Sequence, residues 1–360
     1  MTKIFRARAP LRLGLAGGGS DVSPYCDTYG GQILNATIDL YAHCTIVEHS
    51  EPCVTFRALD KEVEETHFAE SELGVGEGLM LHKAVYNRVV REFHGGEPLS
   101  CSVSTHCDAP PGSGLGSSST LVVAMLQAYC ELLRLPLGEY DLARLAYDIE
   151  RTELGHKGGR QDQYAAAFGG FNFMEFGDKE RVIVNPLRIK EWIVNEFESS
   201  LVLYYTSVSR FSSNIIQNQI DNTRNGNQCV VEATHQIKAD ARCFKDSLLQ
   251  GNLGHIAAIL QRSWECKKRL SPAISNSLID HVFGVATKAG ALAGKVSGAG
   301  GGGHIMFLVD PVRKIDVARA LQAAPGRIVP FRFTNRGADS WLGQFWSTHE
   351  LHDAMPKAAA

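Results

Sequence analysis

The stretch that most narrows the fold is "DAPPGSGLGSSSTLVVAMLQAY", Asp108 to Tyr129. Pro, Gly and Ser give way abruptly to a strongly apolar helical pattern that runs from 117 to 133. The segment before it, "LSCSVSTHC", reads as a strand. A glycine-rich loop between a strand and a helix start is a phosphate-holding arrangement. Gly112, Gly114 and Gly116 can take positive φ and bring backbone N–H groups close to an anion. Ser117, Ser118 and Ser119 stand where free N–H groups and the helix dipole favour negative charge. Pro111 and Leu115 complete the loop. Ser117 follows Gly116 where the Walker pattern needs Lys, so this is not the usual P-loop.

Two further glycine loops frame the chain. "APLRLGLAGGGSD" sets Arg12 and Asp21 either side of Gly17, Gly18 and Gly19, with Ser20 beside them. "KVSGAGGGGHIMFLV" contains G-x-G-x-x-G, but a strand pattern follows it, whereas the dinucleotide fingerprint requires a helix. Its Gly300 and Gly301 fit a hairpin lying against a ligand. Between the loops, Glu150 falls near the end of a helix read over 139–153. Asp162 falls in a polar loop before a short helix, "QYAAAFG". One carboxylate can hold Mg²⁺ while the other takes a hydroxyl proton.

The remaining pattern reads as follows. "KIFRARA" is a strand broken by Pro10, and 11–21 is loop. "GQILNATIDLYAHCTIVEH" is a long β run, followed by a hairpin and a helix over 78–94. "GFNFMEF", "RVIVNPL" and "SSLVLYYTS" are strands. Residues 211–289 are almost wholly helical, after which strand, loop, strand, a helix at 311–322 and the strand "RIVPFRF" make an α+β unit. This gives an N-terminal lobe over 1–208, a C-terminal lobe over 209–345 and a tail over 346–360. Trp341 and Trp346 argue that part of the C-terminal end packs.

Net charge is −3 and no basic stripe appears, which excludes a nucleic-acid partner on composition. No apolar run is long enough for a membrane span and no signal peptide is visible, so a cytoplasmic location is expected. The nine cysteines are scattered without a CxxC pair and are expected as reduced thiols. Cys101, His106 and Cys107 invite a metal reading, but they alternate along a strand and no second ligand pair is near in sequence. A homodimer is left open.

Taken together, the three loops resemble the GHMP kinase family. Its central motif P-x-x-x-G-L-G-S-S-[SA] looks like "PPGSGLGSSS", Pro110 to Ser119. Its C-terminal motif looks like "KVSGAGGGG", and the galactokinase-type "APGRVNLIGEHTD" aligns without gaps with Ala9 to Asp21. Within the family, "LRLGLAGGGSDVSPYCDTYGG", "GGRQDQYAAAFGGFNFMEF" and "YYTSVSRFSSNII" are most similar to the D-glycero-D-manno-heptose 7-phosphate kinase branch.

The resemblance implies an α+β, two-lobed fold: a ribosomal protein S5 domain 2-like N-terminal lobe and a ferredoxin-like C-terminal lobe. It implies ATP and Mg²⁺ as cofactors and phosphorylation of a sugar phosphate at its anomeric 1-hydroxyl, with a 1-kinase of an unphosphorylated, fucose- or mannose-like sugar as the alternative and a non-catalytic sugar sensor as the remote one. Asp162 matches the candidate base, and Arg12 a residue that lowers the nucleophile's pKa and stabilises transferring charge. Ser118 and Glu150 match metal ligands, with Glu153 as the rival one turn on. Asp21 matches a sugar-binding Asp. Gly18 and Gly19 replace the Glu and His of galactokinases, which leaves room for a larger sugar. For a terminal phosphate, Arg210 and Ser212, in "TSVSRFSSN", are the candidate partners.

Overall fold

The computed structural model describes residues 3–178, 181–208 and 212–344. The elements are β1 (Ile4–Ala16), α1 (Tyr25–Tyr29), β2 (Gly31–Glu48), β3 (Cys53–Ala58), β4 (Val63–Phe68), α2 (Met80–Phe93), β5 (Cys101–Cys107) and α3 (Ser117–Leu133). Then come α4 (Glu139–Tyr147), α5 (Gln161–Phe168), β6 (Phe171–Phe176), β7 (Val182–Pro186), α6 (Glu191–Ser199) and β8 (Leu201–Tyr205). Four helices follow: α7 (Ser212–Arg224), α8 (Gln228–Gln250), α9 (Leu253–Lys268) and α10 (Ser277–Ala289). The chain then forms β9 (Ala291–Val296), β10 (His304–Val309), α11 (Lys314–Gln322), β11 (Arg327–Ile328) and β12 (Asp339–Gly343).

The first sheet runs β12-β1-β2-β5-β3-β4, with β6 and β7 branching from β2. β2 is a single long strand that pairs with β1 along one edge and with two strands along the other: Gly31–Ala36 pair with β6 and Ala42–Glu48 with β5. The second sheet runs β11-β8-β10-β9, all antiparallel. In chain order that is 4-1-3-2, the ferredoxin-like arrangement, with α7 to α10 inserted between its first two strands. β8 and β10 are buried on both faces, which is why they read as continuous apolar runs. Leu201, Leu203, Met306 and Leu308 face the first sheet across a shared core, while Val202, Tyr204, Ile305 and Phe307 face the helices beyond.

β1 does not stop at Pro10 as the sequence suggested. It continues to Ala16, with its register against β2 shifting between Pro10 and Arg12. Proline, which lacks a ladder donor, is tolerated at such an irregularity. Phe5, Ala7 and Ala9 enter the core under α2 to α5, whereas Leu11, Leu13 and Leu15 enter the core shared with the second sheet. The inward face therefore changes at this point, and Arg12 is turned toward α5.

Other expectations shift in detail. The helix over 139–153 is α4 followed by a wider, π-type turn through Asp148–Glu153. The helix before Phe168 starts at Gln161, so Asp162 sits on its first turn rather than in a loop. In "RIVPFRF" only Arg327 and Ile328 pair with β8, and Phe333 bridges instead to Ile38 of the first sheet. A lobe division at 208 does not coincide with the change of sheet. β8 already belongs to the second sheet, and β12, with Trp341 opposite Arg6, returns to the first. A strand's lobe is set by its pairing partner, which local composition does not report. Trp346 and the tail lie outside the described residues.

Candidate active site

The site is built where β1, the start of α3, the start of α5 and the β9–β10 loop meet. Gly114 and Gly116 have φ of +81° and +79°, where a side chain is strained. A Cβ on Gly114 would lie 2.5 Å from the Ser297 carbonyl oxygen, and one on Gly116 would lie 3.1 Å from Asp162 Cγ. Glycine here lets the first loop lie directly on the third and on the carboxylate. The contact is sealed by polar bonds. Ser297 Oγ donates to the Gly114 carbonyl at 2.8 Å, and the His304 N–H donates to the Ser113 carbonyl at 2.9 Å. Pro111 and Gly112 stay exposed on the rim, while the Leu115 side chain is buried and contributes backbone only.

Arg12 is the hub. It is 4% exposed, and its Nη1 donates to the Gly114 carbonyl at 2.6 Å. Its Nε and Nη2 lie 2.7 and 2.6 Å from Oδ1 of Asp162. A guanidinium fork is suited to fixing a carboxylate in this way. Beside the pair, Asp21 is buried and accepts from the Gln161 and Gly19 N–H groups at 3.2 and 3.3 Å. Burial, with the Asp162 charge adding to it, pushes the Asp21 carboxyl above its usual range.

Glu150 is buried on the π-type turn. Its Oε2 accepts from Ser119 Oγ at 2.5 Å and from Gln163 Nε2 at 2.7 Å. The hydroxyl that reaches Glu150 is thus that of Ser119, not Ser118, because position 119 faces inward on the first turn while Ser118 is partly exposed. Glu153 is spent elsewhere, on Arg88 and Arg91 of α2. Glu150 and the serine hydroxyls are hard oxygen donors at a helix N-terminus, a donor set that suits Mg²⁺.

Other expected residues fall outside this cluster. Ser20 is fully buried, and its hydroxyl bonds the Gly17 and Gln32 carbonyls, so it builds the turn instead of presenting itself to a ligand. Gly18 and Gly19 lie on that turn, and the Gly19 carbonyl accepts from Gln219 of α7. Gly300 and Gly301 contact Ile274 and Asn276 rather than the 17–21 turn. Arg210 lies outside the described residues, and Ser212 opens α7.

Three cations were not singled out from the sequence. Arg151 bonds Ser119 Oγ at 3.3 Å and pairs with Glu150, yet its Nε is buried without a partner. A cation beside a helix N-terminus opposes the dipole unless an anion joins it. Lys267 is buried and donates to the Val296 and Gly298 carbonyls. Burial and the nearby Arg12 charge push its amine down to about 8. Lys295, which donates to the Leu15 carbonyl at 3.2 Å, is pushed well below its usual range by burial and by Lys267 and Arg12. Arg151 adjoins the expected Glu150 in sequence, but Lys267 lies in no motif. Its place here comes from α9 packing on β9.

A glycine-rich loop at a helix start, an Arg-fixed carboxylate and a buried Glu–Ser cluster are the kinds of parts that phosphoryl transfer uses. The GHMP kinases N terminal domain matches residues 80–170, and the GHMP kinases C terminal region matches residues 244–327. The chain is 47% identical over 339 residues to the D-glycero-alpha-D-manno-heptose 7-phosphate kinase of Campylobacter jejuni, covering 94% of this chain and 99% of that protein. A crystal structure described as a D-glycero-D-manno-heptose 1-phosphate kinase from Bacteroides thetaiotaomicron has a TM-score of 0.81 at 49% identity, over 95% of this chain and 100% of that one. Lactococcus lactis galactokinase, complexed with galactose, has a TM-score of 0.73 at 16% identity over 93% and 95% of the two chains, which speaks to the fold alone. With both of its lobes matched and a relative aligned over nearly its whole length, this chain belongs to the GHMP kinase family.

Proposed function

We propose that the protein transfers the γ-phosphoryl group of ATP to the anomeric hydroxyl of D-glycero-D-manno-heptose 7-phosphate. The products are ADP and heptose 1,7-bisphosphate, a precursor for nucleotide-activated heptose. The observation that carries this reading is the Arg12–Asp162 pair, seated against Gly116 at the mouth of the phosphate loop. There the carboxylate lies next to the place where a triphosphate would end.

The residues act mainly by position and charge. The N–H groups of the 112–119 segment hold the phosphates. Asp162 takes the proton of the attacking hydroxyl late in the transfer. Arg12 keeps Asp162 aimed and faces the charge that develops on the moving phosphoryl group. Asp21 receives sugar hydroxyls. Gly18 faces open space, which suits a seven-carbon sugar better than galactose, while the space over Gly19 is taken by Gln219. Mg²⁺, held by Glu150 with Ser118 or Ser119, would neutralise phosphate charge. A cytoplasmic location is part of the same reading.

The test is a panel of acceptors with product position assigned by ³¹P NMR. Heptose 7-phosphate is expected to gain a phosphate at position 1. Faster turnover of fucose or mannose would replace this reading with a 1-kinase of an unphosphorylated sugar. Phosphorylation of heptose 1-phosphate would overturn the position of attack.

The metal assignment predicts a contrast. Glu150→Gln should raise the Mg²⁺ concentration needed for half-maximal rate by ~10-fold or more, since Mg²⁺ uses only one or two protein carboxylates at a phosphate site. Glu153→Gln should leave it unchanged, because its partners are Arg88 and Arg91. A Mg²⁺ titration that moves only with Glu153→Gln would reassign the ligand.

A further inference from the structure

Away from the cleft, the first sheet gathers three metal-capable side chains. His43 on β2 and His106 on β5 are direct partners across the antiparallel ladder. Their rings stack, with centroids 4.4 Å apart and planes 6° from parallel. Asp108, two residues beyond His106, falls on the same face. Its Oδ2 accepts from the Tyr41 N–H at 2.8 Å and lies 3.9 Å from His43 Nε2. One ligand atom from each of the three lies within 4.8 Å of the others.

We propose that His43, His106 and Asp108 form a binding site for a first-row transition-metal ion of the Zn²⁺ type at the root of the phosphate loop. Two imidazoles and one carboxylate favour Zn²⁺, Cu²⁺ or Ni²⁺ over Mg²⁺ and Ca²⁺. Metal bonds of about 2.0–2.2 Å need the ligand atoms about 3.4 Å apart. Side-chain rotations supply the closure by turning the two rings out of their parallel stack so that both nitrogen lone pairs meet at one point, for which the third-exposed His43 and Asp108 have room. The backbone is already in place: the strand pairing fixes the two histidines opposite one another. The Tyr41 N–H orients the carboxylate as an outer partner does in metal sites.

The position gives the site a consequence. Asp108 is the first residue after β5 on the way to the glycine loop, and its own N–H donates to the Tyr41 carbonyl at 2.9 Å. A metal on Asp108 would tie the root of that loop to β2 and β5 together. It would stabilise the fold by mass action without entering the catalytic chemistry.

The test is calorimetric titration of chelator-treated, tag-free protein with ZnCl₂, without nucleotide or Mg²⁺. One saturable site is expected, together with a rise in Tm. His43→Ala and His106→Ala should each weaken binding by ~10-fold or more, and Asp108→Asn should weaken it too. Co²⁺ should give the visible spectrum of a nitrogen–oxygen site with no thiolate band. The two His variants should keep the metal-free protein's Tm within a few degrees and its kcat, which shows that they fold. Absence of saturable binding would overturn the proposal. So would unchanged affinity in the His43→Ala/His106→Ala double variant, or a thiolate band, which would place the ion on a cysteine.

Discussion

Asp162→Asn is expected to lower kcat by ~10²–10⁴ while leaving the KM for ATP nearly unchanged, the usual scale for loss of a general base. Both Arg12 nitrogens bind one oxygen of the carboxylate, Oδ1. Oδ2 is therefore the oxygen available to a substrate hydroxyl. Asparagine keeps the shape and can still accept from Arg12, but it has no lone pair basic enough to take the proton. The substitution also removes a negative charge from beside Asp21, so binding of the sugar should change less than turnover. Single-turnover measurement with saturating ATP separates the chemical step from product release. A folded variant with near-parental turnover would remove Asp162 from the mechanism and leave it as the partner that holds Arg12.

Arg12→Gln should cost both turnover and stability. The guanidinium is buried between Asp162, the Gly114 carbonyl and Ser297 Oγ. Removing one partner of a buried pair typically costs about 3–5 kcal/mol. Asp162 is 19% exposed at its side chain, so the lower end, about 3 kcal/mol, applies here. The expected kinetic loss is ~10² or more in kcat, since both the aim of Asp162 and the charge facing the phosphoryl group go. Arg12→Lys keeps the charge but loses the fork and should recover only part of the rate. The two residues act as a unit, so Asp162→Asn/Arg12→Gln should lose much less than the product of the single losses. Fully multiplicative losses would mean that the residues act independently. Unchanged kcat in Arg12→Gln below its Tm would reduce Arg12 to a clamp between the first and third loops.

Much of this site is local chemistry, and the sequence alone carries it. Gly114 and Gly116 announce a backbone that must take positive φ and approach something closely. Ser117 to Ser119 announce a helix start, and the helix over 117–133 appears with the expected bounds because its apolar run is long and sharply flanked. The order of strands and helices was legible for the same reason, apart from the short α1 and β12 and from α6, whose nine residues bury only Ile193 and Phe197 and so carry little period. The motif likeness named Arg12, Asp21, Glu150 and Asp162 as candidates.

Partnership across long separations was not legible. No local pattern says that β1 runs on through Pro10 and turns Arg12 onto Asp162, 150 residues away. None says that Ser119 rather than Ser118 meets Glu150, that Ser20 is consumed by its own turn, or that Lys267 stands behind the third loop. His106 looked like an isolated strand histidine until β5 was laid against β2 and His43 came opposite it. Propensity and turn chemistry act over a few residues and are written in the sequence next to their effect. Register, the parity of a strand across a bulge and the neighbours of a buried charge depend on which segments pack together, and only the assembled sheets and helices decide that.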